Sequence, residues 1–219
     1  MVSMIHEEIL IQKQKDLLSF IGLYTDKFVL VGGTAIALQL GHRRSIDFDL
    51  FYPSNEYLPV RYMQKNWKQL RYQPYLLYEN SFQQHYAIHD VKVTFFAYMY
   101  DIPQKVLLSD RVIPMPNCYF LAAMKIHAIA QRHKRKDYVD IAFLIRQYGI
   151  QSISDYTKKI FGSEYNIRLF CSQLCYFDDI DYSEEVDYMP GFERNQKDIQ
   201  LYLKDQSVKL FDYAVSQAA

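Results

Sequence analysis

Apolar and polar residues follow two different periods along this chain, and each period predicts a different kind of element. Over residues 4–24, apolar positions recur at helical spacing among Glu, Gln and Lys, which predicts a helix. A short apolar run at 28–31 predicts a strand, and a second strand is expected at 46–52. Between them, Gly32-Gly33-Thr34 ends the apolar run and begins a helix of about two turns that stops near Gly41. The opening part of the chain therefore predicts a strand–helix–strand unit.

The remaining pattern predicts strands first and then helices alone. A helix is expected at 54–70 with Ser54 as its N-cap, and three aromatic-rich strands follow it, with a turn at 79–81 between the first two: 72–78, 82–89 and 91–98. Beyond Pro114 and Pro116 the pattern is helical, and only an acidic tract interrupts it as an exposed loop: helices at 118–132, 136–148, 151–175 and 194–216, and the tract at 178–187. We expect an α+β fold, in which a mixed-sheet lobe with flanking helices (1–113) and a helical lobe (114–219) form a substrate cleft.

The composition narrows the class of protein. Half of the 219 residues are apolar, with 20 Tyr and 14 Phe, so a large core is expected. The formal net charge of zero argues against a uniformly basic protein that coats nucleic acid. Three cysteines without Cys-x-x-Cys spacing indicate a reducing compartment. Neither a secretory signal nor a membrane span is recognisable, so a cytoplasmic location is expected.

Two carboxylates stand out in the second predicted strand. Asp47 and Asp49 alternate with apolar residues, so they are expected on one face of the strand, where they repel each other unless a cation lies between them. Mg²⁺ binds one or two carboxylates together with water and substrate phosphates. Gly33 and Thr34 begin the preceding helix, where bare backbone N–H groups attract phosphate. Either feature alone is common on a solvated surface, but together they predict Mg²⁺-dependent binding of a nucleoside triphosphate.

The segment as a whole resembles a known family. Gly-Gly-Thr, followed after a short helix by Gly-His-Arg-x-Ser-x-Asp-x-Asp-Leu-Phe, is similar to the signature of the AbiEii/AbiGii toxins (MenT-like proteins) of the nucleotidyltransferase superfamily. Segments 122–130, 136–145 and 176–179 fit the same family. The resemblance implies transfer of a nucleotide to an acceptor hydroxyl, such as the 3′ end of tRNA, by the toxin of a toxin–antitoxin or abortive-infection system. It also implies a cognate antitoxin, which we expect to be a small winged-helix protein.

The resemblance singles out two further residues in the helical half. Lys125 lies in an apolar predicted helix, so its ammonium group either pairs with a structural carboxylate, extends to solvent, or neutralises nucleotide phosphates. It matches the family's lysine position, which favours the last role. Asp137 matches an acidic position of the family's active site. For Asp140, an ordinary ion pair with Lys136 explains the sequence equally well.

Basic residues near these positions are the remaining candidates. Arg43 and Ser45 precede the Asp pair and are expected to contact the triphosphate, whereas Arg44 fits surface exposure equally well. The basic run 132–136 is typical of a solvated loop, although it could also guide a nucleic-acid backbone.

One position departs from the nucleotidyltransferase pattern. These enzymes generally carry a third carboxylate on the neighbouring strand, and Thr94 is the best-matching residue here. Threonine cannot act as a general base, so either Asp137 supplies the carboxylate or the protein is a degenerate nucleotide-binding module that acts through a protein partner. The sequence leaves both hypotheses open.

Overall fold

The computed structural model describes residues 5–65, 67–102, 105–107, 113–129 and 132–217. The chain divides into two compact units, Met1–Asn117 and Cys118–Ala219. Residues 114–117 thus fall in the first unit, whereas the sequence interpretation placed the boundary before Pro114. Among the described residues, no helix is both long and apolar enough to cross a membrane.

The first unit is built on a five-stranded mixed sheet with the strand order β1-β2-β5-β4-β3. Its strands are β1 (Val29–Val31), β2 (Phe48–Pro53), β3 (Tyr75–Glu79), β4 (Gln83–Ile88) and β5 (Val91–Tyr98). Strands β2 and β5 are parallel and the other neighbours are antiparallel. The predicted mixed sheet with flanking helices is confirmed.

One face of this sheet forms the core of the first unit. Phe48 and Leu50 of β2 and Phe95 of β5 alternate with more exposed residues, and all three are buried. The ring of Tyr24 packs edge-on against Phe95 with the centroids 4.9 Å apart, and its hydroxyl donates to the carbonyl of Met63 at 3.0 Å. Buried aromatic side chains therefore account for part of the high Phe and Tyr content.

The α-helices in the described part of the first unit are α1 (Gln12–Gly22), α2 (Gly32–Leu40) and α3 (Val60–Gln64). Gly41 ends α2 with φ +67°, as predicted. The helix predicted at 54–70 is wrong in extent, since α3 begins only after Pro59, and Ser54 accepts a hydrogen bond in a turn from the amide of Glu56. A proline restricts the residue before it to extended conformations, so a helix is disfavoured across that position.

A small second sheet was not predicted. It pairs β6 (Lys105–Leu107) with β7 (Pro114–Pro116) in antiparallel fashion. Prolines at both ends of β7 hide it from a sequence pattern, because proline lacks the N–H of a strand ladder.

The described part of the second unit is helical, as the sequence predicted. Its helices are α4 (Cys118–Ile129), α5 (Arg135–Tyr148), α6 (Ile150–Phe161), α7 (Ile167–Gln173) and α8 (Gln196–Ser216). Gly149 ends α5 with φ +79°, and the side chain of Asn166 caps α7 by accepting from the amides of Arg168 and Leu169.

Candidate functional site

The turn from β1 into α2 brings a carboxylate against bare backbone. Gly32 begins α2 with φ +71°, which favours glycine. Val31 pairs with Asp49 across the antiparallel β1–β2 ladder, so the Asp49 side chain lies over this turn. A Cβ atom added to Gly32 would lie 3.0 Å from Cγ of Asp49 and nearer still to Oδ2. Glycine is therefore required at this position both for conformation and for space.

A second contact of the same kind forms at Gly33. A Cβ atom there would lie 2.7 Å from Nη2 of Arg43 and 2.9 Å from Oγ of Ser45. Arg43 is buried, and its Nη1 donates to the carbonyl of Arg44 at 2.8 Å. A buried guanidinium and a hydroxyl thus lie against the first turn of α2, where helix N–H groups lack intrahelical acceptors.

Arg44 has a different environment from Arg43. It is half-buried, and its Nη1 donates to the backbone carbonyls of Glu8 and Ile9 at 3.2 and 3.4 Å. These contacts attach the 42–45 loop to the N-terminal segment. Of the two arginines, Arg43 is the one placed at the glycine turn.

The hydroxyl of Thr34 holds the segment that leads into β2. Its Oγ1 donates a short hydrogen bond to the carbonyl of Asp47 and a longer one, at 3.3 Å, to that of Ser45. The buried Gln14 donates to the same Ser45 carbonyl at 2.8 Å. Sequence reasoning missed Gln14, because a single polar residue in an amphipathic helix gives no signal of a distant partner.

The two aspartates lie on either side of the buried Phe48. Asp49 is half-buried within β2, whereas Asp47 is exposed and lies one residue before the strand begins. Among the described residues, no cluster of three or more His, Cys, Asp or Glu could hold a metal ion. Two carboxylates two residues apart, one exposed and one half-buried against a glycine backbone, suit Mg²⁺, which takes few protein ligands and completes its shell with water and phosphate oxygens.

The structure places Thr94 directly beside Asp49. The two residues pair in the parallel β2–β5 register, and His85 of β4 pairs with Thr94 on its other side. Thr94 is buried, and Lys92, two residues earlier on the same face, is exposed. The neighbouring position that would carry a third carboxylate is thus a threonine in the fold as well as in the sequence.

In the second unit, Lys125 is buried between two carboxylates. Its Nζ lies 2.5 Å from Oδ1 of Asp137 and 2.9 Å from Oδ2 of Asp140, and the exposed fractions of the three residues are 5%, 2% and 0%. Arg132 adds a contact from its Nε to Asp137 at 3.1 Å. This cluster joins α4 to α5, so Lys125 has the structural carboxylate partners that one of the sequence hypotheses required. A role toward phosphate stays a prediction.

The basic run 132–136 pairs with the acidic tract. The Nζ atoms of Lys134 and Lys136 each lie 2.7 Å from a carboxylate oxygen of Glu184. His133 Nδ1 lies 3.0 Å from Oδ2 of Asp179. Hydrogen bonds from the two lysines lower the pKa of Glu184 to about 2. These ion pairs supply the run with protein partners, which favours the solvated-loop interpretation over a nucleic-acid guide.

The chain matches a known protein family over most of its length. The family model described as nucleotidyl transferase AbiEii toxin of the type IV toxin–antitoxin systems matches residues 17–73 and 61–206. The chain belongs to this family. An uncharacterized protein of Aquifex aeolicus (strain VF5) is 30% identical to this AbiEii-family chain over 179 residues, which cover 79% of the chain and 84% of that protein.

Solved structures share the fold of this AbiEii-family protein. A candidate nucleotidyltransferase from H. pylori is 14% identical to this chain with a TM-score of 0.57, and the superposition covers 94% of this chain and 96% of that protein. MenT4, a nucleotidyltransferase toxin of Mycobacterium tuberculosis H37Rv, is 12% identical with a TM-score of 0.57, covering 92% and 86%. At such low identity the likeness shows the fold alone, and it is the fold of nucleotidyltransferases. The predicted family resemblance is confirmed.

Proposed function

We propose that this AbiEii-family protein transfers a nucleoside monophosphate from a nucleoside triphosphate to an acceptor hydroxyl, and that the acceptor is RNA, with the 3′ end of tRNA as the first candidate. The observation that supports this most is the Asp49 carboxylate packed over Gly32, with the Arg43 guanidinium against Gly33. Anionic and cationic side chains thus lie against one backbone turn, where the two glycines leave room for them. Family membership supports the reaction type.

Each residue of the turn has a role in this proposal. Asp47 and Asp49 would hold Mg²⁺, which when bound neutralises phosphate charge and orients the attacking and leaving oxygens. The amide of Gly33, the guanidinium of Arg43 and the hydroxyl of Ser45 bind phosphate oxygens. The hydroxyl of Thr34 supports them indirectly, since it fixes the backbone at Asp47.

Lys125 and Asp137 remain proposed members of the site on the basis of the family motif. Their ion pair holds both side chains in defined positions. In the proposal, Lys125 offsets the charge on the departing pyrophosphate, and Asp137 supplies the carboxylate that Thr94 does not. We also propose that a cognate antitoxin, expected to be a winged-helix protein, controls this activity in a cytoplasmic setting, since the family is one of toxin–antitoxin systems.

Incubation of the purified protein with labelled nucleoside triphosphates, Mg²⁺ and total tRNA tests the proposal. Asp49→Asn keeps the size of the side chain but removes its charge, so we expect at least about a 100-fold loss of label transfer, as for the removal of one electrostatic group at a reacting centre. Asp90→Asn is the matched control, because Asp90 is an exposed carboxylate that pairs with Lys13 on the surface. Equal transfer by the wild type and Asp49→Asn would contradict the proposal.

Thr94 beside Asp49 favours a second candidate, a nucleotide-binding module without transferase activity that acts through a protein partner. Calorimetry separates the two. Mg²⁺-dependent nucleotide binding, abolished in Asp49→Asn and without transfer to any RNA, would support the module over the enzyme.

A further inference from the structure

A bulge in the edge strand β3 places two tyrosines on the same face as Asp49. Side chains three residues apart normally face opposite sides of a strand. The register of β3 against β4 shifts between Leu76 and Tyr78, so Tyr75 pairs with Ala87 and Tyr78 pairs with His85. Directly paired residues share a face, and Ala87 and His85 alternate on one side of β4. The bulge therefore turns both tyrosine rings toward the face that carries the glycine turn.

These rings extend a row of side chains that starts at the proposed site. Asp49 pairs with Thr94, Thr94 with His85, and His85 with Tyr78. The row crosses three strand spacings of about 4.8 Å each, so it covers roughly 14 Å from Asp49 to Tyr78. The rings of Tyr78 and His85 lie 5.2 Å apart, as neighbours in one layer.

The rings at the far end of the row are open to solvent. Tyr75 is 71% exposed and Tyr78 is 47% exposed. On β4, the residues that alternate with their partners His85 and Ala87 are Tyr86 and Ile88, which are buried on the opposite face of the sheet. The core of the first unit therefore does not need these tyrosines. Proteins that bind single-stranded nucleic acid stack its bases on exposed aromatic rings of this kind.

The same face carries a positive charge. Lys92 is exposed and pairs with Ala87, which pairs in turn with Tyr75, so Lys92 lies in the row of Tyr75 and next to the row of His85. Burial, together with the charge of Lys92, lowers the pKa of His85, and its planar ring lies beside that of Tyr78. Aromatic rings interleaved with a lysine match the chemistry of a single strand, whose bases stack while its phosphates meet the cation.

We propose that the strip formed by Tyr75, Tyr78, His85 and Lys92 binds the last unpaired nucleotides of an RNA 3′ end and leads its terminal hydroxyl toward Asp49. This inference rests on the proposed function, which it deepens by naming the part of the acceptor that is recognised. The acceptor must then be single-stranded at its end, because stacking on the rings requires bases that are free of a complementary strand.

Binding of RNA without nucleotide tests the strip independently of catalysis. Fluorescence anisotropy measures the affinity of the protein for a short labelled single-stranded RNA and for the same RNA annealed to a complementary strand that reaches its 3′ end. Tyr78→Ala and Tyr75→Ala are expected to weaken binding of the single strand by roughly 5- to 150-fold each, the range for loss of one stacked base. Tyr78→Phe keeps the ring but loses the hydrogen bond from Asn80 to the hydroxyl, so it is expected to bind within about twofold of the wild type.

The matched control is Tyr57→Ala, because Tyr57 is a tyrosine of similar exposure, 67%, outside the strip. Equal binding by Tyr57→Ala and both strip variants would overturn the proposal, as would equal weakening of the single strand and the duplex. A loss of self-association or protein binding in these variants, with RNA binding unchanged, would overturn it in favour of a protein-docking surface. If the wild type transfers no nucleotide while the strip variants still bind single-stranded RNA more weakly than the wild type, the proposed function is wrong and the RNA-binding role of the strip is supported. If the strip variants transfer nucleotide and bind RNA as the wild type does, the RNA-binding role of the strip is wrong and the proposed function is supported.

Discussion

Replacement of Lys125 by methionine tests the energetic role of the buried charge cluster in the second unit. Methionine fills a similar volume without a charge, so the variant leaves the carboxylates of Asp137 and Asp140 without their ammonium partner. Both carboxylates are almost fully buried, whereas Arg132, which also contacts Asp137, has a side chain that is 55% exposed. Arg132 is therefore expected to compensate only in part.

Removal of one partner from a buried ion pair costs about 3–5 kcal/mol, because the remaining charge stays desolvated. We expect Lys125→Met to lower the free energy of unfolding by this amount. Urea denaturation followed by far-UV circular dichroism, which reports the helices, measures the effect. With a denaturant slope of at most about 3 kcal/mol per molar urea, the midpoint should fall by more than about 1 M.

Two comparisons sharpen the result. Lys209 pairs with Asp205 at 2.7 Å on α8, but both side chains are more than half exposed, so Lys209→Met should cost no more than about 0.5 kcal/mol. In the double variant Lys125→Met/Asp140→Asn the costs should be less than additive, since one unpaired charge is removed together with its partner. A loss below about 1 kcal/mol for Lys125→Met, equal to that of Lys209→Met, would refute the buried-cluster reasoning.

Two further predictions concern the glycine turn and the acidic tract. Gly32→Ala should lower the free energy of unfolding by about 1–3 kcal/mol and abolish nucleotide transfer, because a Cβ there is strained at positive φ and displaces Asp49. Urea denaturation monitored by the fluorescence of Trp67 measures the loss of stability. Gly22→Ala, whose Cβ meets no atom within 4 Å, should leave both stability and transfer unchanged or improved, and an equal loss in the two variants would contradict the role of the turn. Glu184 has a lowered pKa of about 2, so its ion pairs stabilise the fold above its ordinary pKa near 4.5 and are lost as the pH falls toward 2. Glu184→Gln should thus cost about 0.2–1 kcal/mol at pH 7, given the exposure of the group. Urea denaturation at pH 7 and pH 2 should show this difference shrink by more than half, and an unchanged difference at pH 2 would exclude these ion pairs as its cause.

Local sequence patterns predicted most of the fold because they depend on contacts within each element. Alternation predicted β4 and β5 to within a residue or so, and the glycines at 41 and 149 marked helix ends by their conformation. The helix predicted at 54–70 failed at a local feature too, since Pro59 interrupts it. Competing local signals, rather than missing ones, caused that error.

The site was less predictable, because its geometry depends on partners distant in sequence. The candidates Asp49, Gly33 and Arg43 follow from residue type and spacing, but the burial of Arg43 against Gly33 depends on a loop conformation that has no periodic signal. The support that Gln14 gives to the carbonyl of Ser45 spans 31 residues. The bulge in β3 cannot be predicted from the sequence pattern either, because strict alternation would place Tyr75 and Tyr78 on opposite faces.

Three independent constraints fix Asp49, and together they argue that its position is built for binding. It pairs with Val31 on one side and with Thr94 on the other, so its backbone cannot shift without breaking two ladders. Its carboxylate also occupies the space that glycine leaves at position 32. The N–H groups of the first turn of α2 and a cation are the two kinds of group that stabilise a carboxylate at this position. A bound Mg²⁺ ion would add the second kind, so the protein should become more stable as Mg²⁺ and nucleotide bind. Thermal denaturation with and without these ligands measures this directly, and an unchanged melting temperature in the wild type would show that the position of Asp49 serves the fold alone.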